Sequence, residues 1–206
     1  MSLSIPDRVV VFDYGEVISR SQSDGDKREL VELAEVEADA FWPAYWRHRD
    51  ELDHGTVRIT EYWRRVAADL GADWSISRIQ QLWAVDFRSW VSVEPGTVEL
   101  LDELHRGGTR LALLSNAGFD FGDPFRNAPT AAFFERVFVS AELGLLKPDA
   151  AVYHRVADEL GIETSQMVFV DNKAVNVDGA VATGATGHHF TGVDGLRAFL
   201  TSLAAA

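Results

Sequence analysis

The chain has no cysteine. That excludes a disulfide framework, a thiolate nucleophile and any metal site built on sulfur. It is also short of positive charge: 19 lysines and arginines stand against 32 aspartates and glutamates, a formal net charge of −13. So acidic a chain is ill suited to wrapping nucleic acid or lying on an anionic membrane, and neither partner is expected. No apolar run approaches the roughly 18 residues that argue for a membrane span. The start, Met1 to Pro6, has neither the basic nor the apolar stretch of a secretory signal. A cytoplasmic globular protein is expected, and Met1-Ser2-Leu3 is assigned no structural role. What the chain does have is a 47% hydrophobic content over 206 residues, ample for one domain, or one with a smaller insertion.

The most telling stretch is Val9-Val10-Val11-Phe12-Asp13-Tyr14-Gly15. Four apolar residues, three of them β-branched, read as a short strand buried on both faces. It ends on a carboxylate. Ligands of open α/β sheets sit outside the carboxyl ends of the strands, so Asp13 stands where such a fold places a reactive group.

Ser19 to Lys27 is polar and reads as a loop. From about Arg28 to Arg88 the apolar residues recur at helical spacing and no strand is evident. Within this block Thr60 is a plausible N-cap and Gly71 a plausible terminating glycine. Trp42, Trp46, Trp63, Trp74 and Trp83 fall here too. They read as the core of a small helical bundle, with some of them lining a substrate pocket as the alternative. Arg47, His48, Arg49 and His54 read as surface or packing groups; the alternative is contact with an anionic substrate.

Beyond it, Pro95 starts a helix that Gly107-Gly108 stops. Leu111 to Leu114 is a second strand, ending in Ser115-Asn116. Asp120 to Thr130 reads as a loop, and Arg136 to Ser140 as a third strand. Lys147-Pro148-Asp149 precedes a helix over Ala151–Leu160. Met167 to Asp171 is a further strand ending in a carboxylate, Gly187 to Phe190 a weak last one, and Leu196 to Leu203 a last helix. His188 and His189 lack metal-site spacing and read as structural. Strands alternating with helices predict a doubly wound parallel sheet. The block from about 20 to 90 is too long for a plain crossover and reads as an inserted helical unit.

Parallel strands bring Asp13, Ser115, Asn116, Lys147 and Asp171 to one edge of the sheet. A nucleophilic carboxylate, a hydroxyl, a cation and a second carboxylate suit phosphoryl transfer. There the dianionic phosphate must be neutralised before a carboxylate can attack it. Mg²⁺ held by Asp13 and the Asp171 region would do this, because hard oxygen ligands suit it. The intermediate would be an aspartyl-phosphate.

The order of Val10-Val11-Phe12-Asp13-Tyr14-Gly15-Glu16-Val17, Leu113-Leu114-Ser115-Asn116, Lys147-Pro148-Asp149 and Phe169-Val170-Asp171-Asn172 resembles the haloacid dehalogenase-like hydrolase superfamily. The resemblance implies a Rossmann-like core over residues 1–19 and 91–206, with a helical cap over 20–90. It implies Asp13 as nucleophile, Ser115 and Asn116 with Lys147 around a small phosphorylated substrate, and a metal held by Asp13, the Gly15 carbonyl, Asp171 and Asn172. Two positions depart from it. Gly15 stands where phosphatases of the superfamily carry a second Asp as acid and base, and Glu16 is the neighbouring substitute for that role. Asn172 stands where a second carboxylate is usual, which predicts weaker Mg²⁺ binding. A slow phosphatase is the main expectation; a non-catalytic or regulatory protein and a metal-free haloacid dehalogenase are the alternatives. The sequence leaves a homodimer open.

Overall fold

The structure, a computed structural model, describes residues 3–205. The strands are β1 (Val9–Phe12), β2 (Arg110–Ser115), β3 (Arg136–Val139), β4 (Met167–Asp171) and β5 (Thr186–His189). They form one parallel sheet in the order β3-β2-β1-β4-β5. The chain builds outward from β1 on one side, then crosses over and builds outward on the other. The order therefore reverses beside β1, and a ligand crevice is expected there.

The two-residue period of the strands divides the core into two layers. Val10, Phe12, Leu111, Leu113 and Val170 pack against α6 (Pro95–Arg106) and α11 (Val193–Ala204). Val9, Val11, Leu114 and Phe169 pack against α9 (Ala150–Leu160) and α10 (Ala174–Ala182). Between β1 and α6 lie five helices, α1 (Asp24–Ala34), α2 (Ala38–Arg47), α3 (Arg49–His54), α4 (Ile59–Asp69) and α5 (Ile76–Trp90). They bury a cluster of their own around Leu30, Phe41, Tyr45, Trp63 and Leu82. Each such side chain contributes about 1.5–3 kcal/mol when fully buried. Among the described residues no helix is long and apolar enough to cross a membrane.

Several local expectations change. The loop read over Ser19–Lys27 gives way to α1 at Asp24, because Ser23 caps that helix: its Oγ accepts from the Asp26 N–H at 3.1 Å. Thr60 is not an N-cap; Arg58 holds that position, and Thr60 lies inside the first turn of α4. The loop read over Asp120–Thr130 contains α7 (Gly122–Asn127). Phe121 and Phe125, four residues apart, turn into the core there, and their helical spacing outweighs the glycine and proline around them. Ser140 does not end β3 but begins a short α8 (Ser140–Leu143). Leu3 has a structural role after all: it is buried in the core, and its carbonyl lies against Gly107 so closely that a Cβ there would sit 2.0 Å away. Met1, Ser2 and Ala206 lie outside the described residues.

The tryptophans divide. Trp63 is fully buried in the helical cluster, while Trp42, Trp74 and Trp83 pack half-buried against it. Trp46 is 50% exposed and faces the cavity described next.

Candidate active site

The register sets the site. Phe12 pairs with Leu113 of β2 and Val170 of β4, so the residues just beyond, Asp13, Ser115 and Asp171, end up together at the sheet's carboxyl edge. Lys147 arrives from the loop after α8. Its ammonium is buried and spends its hydrogens on Asp13 Oδ1 at 2.7 Å, Asp171 Oδ2 at 2.8 Å and the Leu114 carbonyl at 3.0 Å. Burial opposes this charge, but the two carboxylates outweigh it and raise the proton affinity of Lys147 above the ordinary lysine value. Lys147 is therefore a fixed cation. Asn116 holds its backbone in both directions, donating from Nδ2 to the Lys147 carbonyl and accepting the Lys147 N–H on Oδ1, each at 3.0 Å.

Asp13 is 7% exposed. Burial pushes its carboxyl up to about 6; Lys147 opposes the rise and Asp171 adds to it. A cavity of about 300 Å³ opens in front of it, lined by Ser115, Asn116, Lys147 and Asn172 and, from the helical segment, Trp46, Arg49 and Asp53. Of the residues expected at the site, Asp171 alone does not reach this cavity. It is fully buried behind Lys147. Oδ2 accepts from Lys147 and from Asn176 Nδ2 (3.0 Å), and Oδ1 from the Lys173 N–H (2.8 Å). The expectation that it ligates a metal is corrected accordingly: its oxygens are taken up by Lys147, Asn176 and the Lys173 N–H, and the residue does not line the cavity.

The remaining oxygens do suit a hard cation. Asn172 donates its amide N–H to Glu16 Oε2 at 2.8 Å, which leaves its Oδ1 buried and without a hydrogen-bond partner. A buried acceptor in that state costs roughly 1–3 kcal/mol unless something fills it. Asp13 and Gly15 line the cavity with it. Among the described residues no group of three or more carboxylates or imidazoles is placed to hold a metal ion, at this site or any other. The fit for Mg²⁺ thus rests on Asp13, the Gly15 backbone and the Asn172 amide oxygen, a set with one formal negative charge.

Glu16 lines the cavity, but its carboxylate is occupied at both oxygens: Ser21 Oγ donates to Oε1 at 2.6 Å and Asn172 to Oε2. Gly15 is not forced by geometry. Its φ is ordinary, and a Cβ there would come no closer to another group than 4.0 Å from Asp13 Oδ2.

Two cavity residues come from α3: Arg49, which the sequence reads as a surface or packing group with substrate contact as the alternative, and Asp53, to which the sequence reading assigns no role. Arg49 binds the Tyr45 hydroxyl at 3.0 Å and Asp86 at 3.1 Å, so it contributes to the cavity wall rather than to the surface. Asp53, one turn on, is 9% exposed, and its Oδ1 forms an ion pair with Arg49 Nε at 3.4 Å without a hydrogen bond. Burial pushes its carboxyl up to about 7; Arg49 and Lys173 oppose this, and Asp50 and Asp120 add to it. One sequence signal marks it: a carboxylate in the last turn of a helix, where the carbonyl end disfavours negative charge. Arg47 and His48 instead pair with Asp69 away from the cavity, and His189 holds the Asn172 carbonyl at 2.9 Å.

These features define a class, a Rossmann-like α/β hydrolase with a buried aspartate–lysine site where its strand order reverses. The model of the haloacid dehalogenase-like hydrolases matches residues 8–184, and the chain belongs to that family. Among similar proteins is phosphatase MT3486 of Mycobacterium tuberculosis (strain CDC 1551 / Oshkosh), 25% identical over 183 residues, which are 85% of this chain and 83% of that one. Among solved structures, the haloacid dehalogenase-type enzyme bt-2542 of Bacteroides thetaiotaomicron, in complex with magnesium and inorganic phosphate, superposes with a TM-score of 0.69. It is 19% identical, over 88% of this chain and 92% of that one. A 2-haloacid dehalogenase from Pseudomonas syringae pv. Tomato DC3000 gives 0.63 at 22% identity, over 87% of this chain and 84% of that one.

Proposed function

We propose that this chain is a Mg²⁺-assisted phosphatase of small phosphorylated metabolites, acting through a phosphorylated Asp13. The observation that carries the reading is the pairing of Asp13 with Lys147 at the head of a cavity that also holds the unpartnered oxygen of Asn172. Lys147 occupies one oxygen of Asp13 and leaves the other for attack on phosphorus. Its fixed charge offsets the repulsion between the carboxylate and the incoming dianion. Ser115 and the backbone N–H groups beyond β2 hold phosphate oxygens. Mg²⁺, when bound by Asp13, the Gly15 carbonyl and Asn172, supplies the further positive charge that a phosphate dianion needs. The helices of residues 20–90 act as a cap that closes the cavity from above and shields the reaction from bulk water. The phosphatase relative and the phosphate-bound structure are consistent with this chemistry.

The test is direct. The wild type should hydrolyse simple phosphomonoesters with Mg²⁺ present, and acid quenching should trap phosphate on Asp13. Asp13→Asn should show neither. Retained turnover in that variant removes Asp13 as nucleophile. Release of halide from a 2-haloacid in EDTA, without phosphate release, would replace the reading with the dehalogenase chemistry.

A further inference from the structure

The phosphatase reading lacks one participant. A leaving alkoxide needs a proton, and the side chain that would stand two residues after Asp13 is absent at Gly15. Of the other carboxylates on the cavity wall, Glu16 has both oxygens engaged by Ser21 and Asn172. Asp50 is exposed. Asp53 is buried, has on Oδ1 an ion pair with Arg49 at 3.4 Å but no hydrogen bond, and lines the same cavity as Asp13.

Its position is fixed from the core rather than from the helical segment alone. Ser140 Oγ, at the start of α8, donates to the Asp53 carbonyl and accepts the Ala117 N–H at 2.9 Å. Ala117 directly follows Ser115-Asn116, so one buried hydroxyl joins Asp53 to the phosphate end of the cavity. Gly55 reinforces the dock. Its φ is +84°, and a Cβ there would lie 2.5 Å from the Ala141 carbonyl, so α3 lies against α8 at backbone distance.

We propose that Asp53 is the acid–base group of the reaction, supplied by the helical segment in place of the missing side chain at position 15. The proposal rests on the phosphatase reading. In the first half, Asp13 forms its bond to phosphorus, the bond from phosphorus to the leaving oxygen breaks, and that oxygen takes the Asp53 proton and departs as an alcohol. In the second half, Asp53, now a carboxylate, takes a proton from water as the water oxygen attacks phosphorus. The bond to Asp13 breaks, releasing inorganic phosphate and restoring both carboxyl groups. A carboxyl whose proton is lost near neutrality is suited to both halves. The charged groups around it are Arg49 and Asp50 on its own helix, Lys173 after β4 and Asp120 after β2.

The experiment compares Asp53→Asn with wild type on two esters, p-nitrophenyl phosphate and a simple primary alkyl phosphate. The acidic nitrophenol leaves without help; the alcohol does not. For Asp53→Asn, kcat/KM on the alkyl ester should fall by about 10²–10⁴, while kcat/KM on the nitrophenyl ester should change by less than about tenfold. Phosphorylated Asp13 should accumulate, since its hydrolysis has lost its base. An equal fall on both esters, or no fall on either, overturns the proposal, because a merely structural role does not discriminate by leaving group. If the variant does not fold, wild type decides: kcat/KM should depend only weakly on leaving-group pKa across a series of esters, and a steep dependence overturns the proposal. A wild type that cleaves no phosphate ester removes the phosphatase reading itself, and this proposal with it.

Discussion

Asn172 gives its amide hydrogen to Glu16 at 2.8 Å and keeps a bare oxygen for the cavity. An aspartate at 172 would carry a full negative charge to the same place. Two consequences oppose one another. The oxygen set gains a charge, which favours a hard dication. The contact with Glu16 changes from a hydrogen bond to a carboxylate–carboxylate repulsion, which lowers the stability of the metal-free protein. Asn172→Asp should therefore melt below wild type in EDTA and gain more from added Mg²⁺, with the apparent metal affinity rising on the order of tenfold. Melting curves over a Mg²⁺ series check this without any substrate. Equal gains for both proteins would show that Asn172 does not face the ion.

Lys147 and Asp13 are unequal partners in stability. Lys147 pairs its single charge with two buried carboxylates, Asp13 and Asp171. Removing it, as in Lys147→Met, leaves both uncompensated, and breaking buried pairs in this way costs about 3–5 kcal/mol. Asp13→Asn leaves Lys147 with Asp171 and the Leu114 carbonyl, so its cost should be far smaller although turnover should be abolished. Urea unfolding of the two variants should rank them in that order. A Lys147→Met protein as stable as wild type would contradict the buried ion cluster.

The same cluster shows what the sequence discloses and what it does not. Asp13, Ser115 and Lys147 are legible because each closes or follows a short apolar run, and parallel strands can bring such ends to only one edge. The depth at which each sits is not legible. Asp171 and Asn172 are adjacent in sequence, yet Asp171 ends β4 and Asn172 begins the bend beyond it, so one pairs with Lys147 and the other lines the cavity. The helical segment is legible as a block from its spacing and its tryptophans. Asp53 is marked only by its place in the last turn of a helix; its contact with Ser140, 87 residues away, is recorded by no local pattern. The short α7 was hidden for the opposite reason: local composition argued for a loop, and the burial of Phe121 and Phe125 prevailed.

Asp53 also makes a prediction about pH and stability. Its folded-state proton affinity is raised from the ordinary 3.8 to about 7, so the folded protein holds this proton more tightly than the unfolded chain. The associated stability is fully present below about pH 4 and is lost as pH rises through 7. Asn at this position does not titrate. The stability of wild type relative to Asp53→Asn should therefore decline between pH 4 and pH 8, by on the order of 4 kcal/mol. Chemical unfolding of both proteins across that range measures the difference, and the other titrating groups cancel in it. A difference independent of pH would mean that Asp53 is ionised throughout.

Ser140 offers the last test, because it separates position from chemistry. Its hydroxyl is fully buried and joins the Asp53 carbonyl to the Ala117 backbone, and alanine removes only that oxygen. The groups left behind are a carbonyl and an N–H without their partner, which costs about 1–3 kcal/mol. If the hydroxyl serves stability alone, Ser140→Ala should melt lower and turn over all phosphate esters as wild type does below its melting point. If it sets the distance between Asp53 and the phosphate end, kcat/KM should fall more for alkyl than for nitrophenyl esters, a weaker form of the Asp53→Asn pattern. The second outcome is the one expected. Gly55 bears its Ala141 carbonyl against α3 in either protein, so the helix stays docked and only the fine placement of the carboxyl is released.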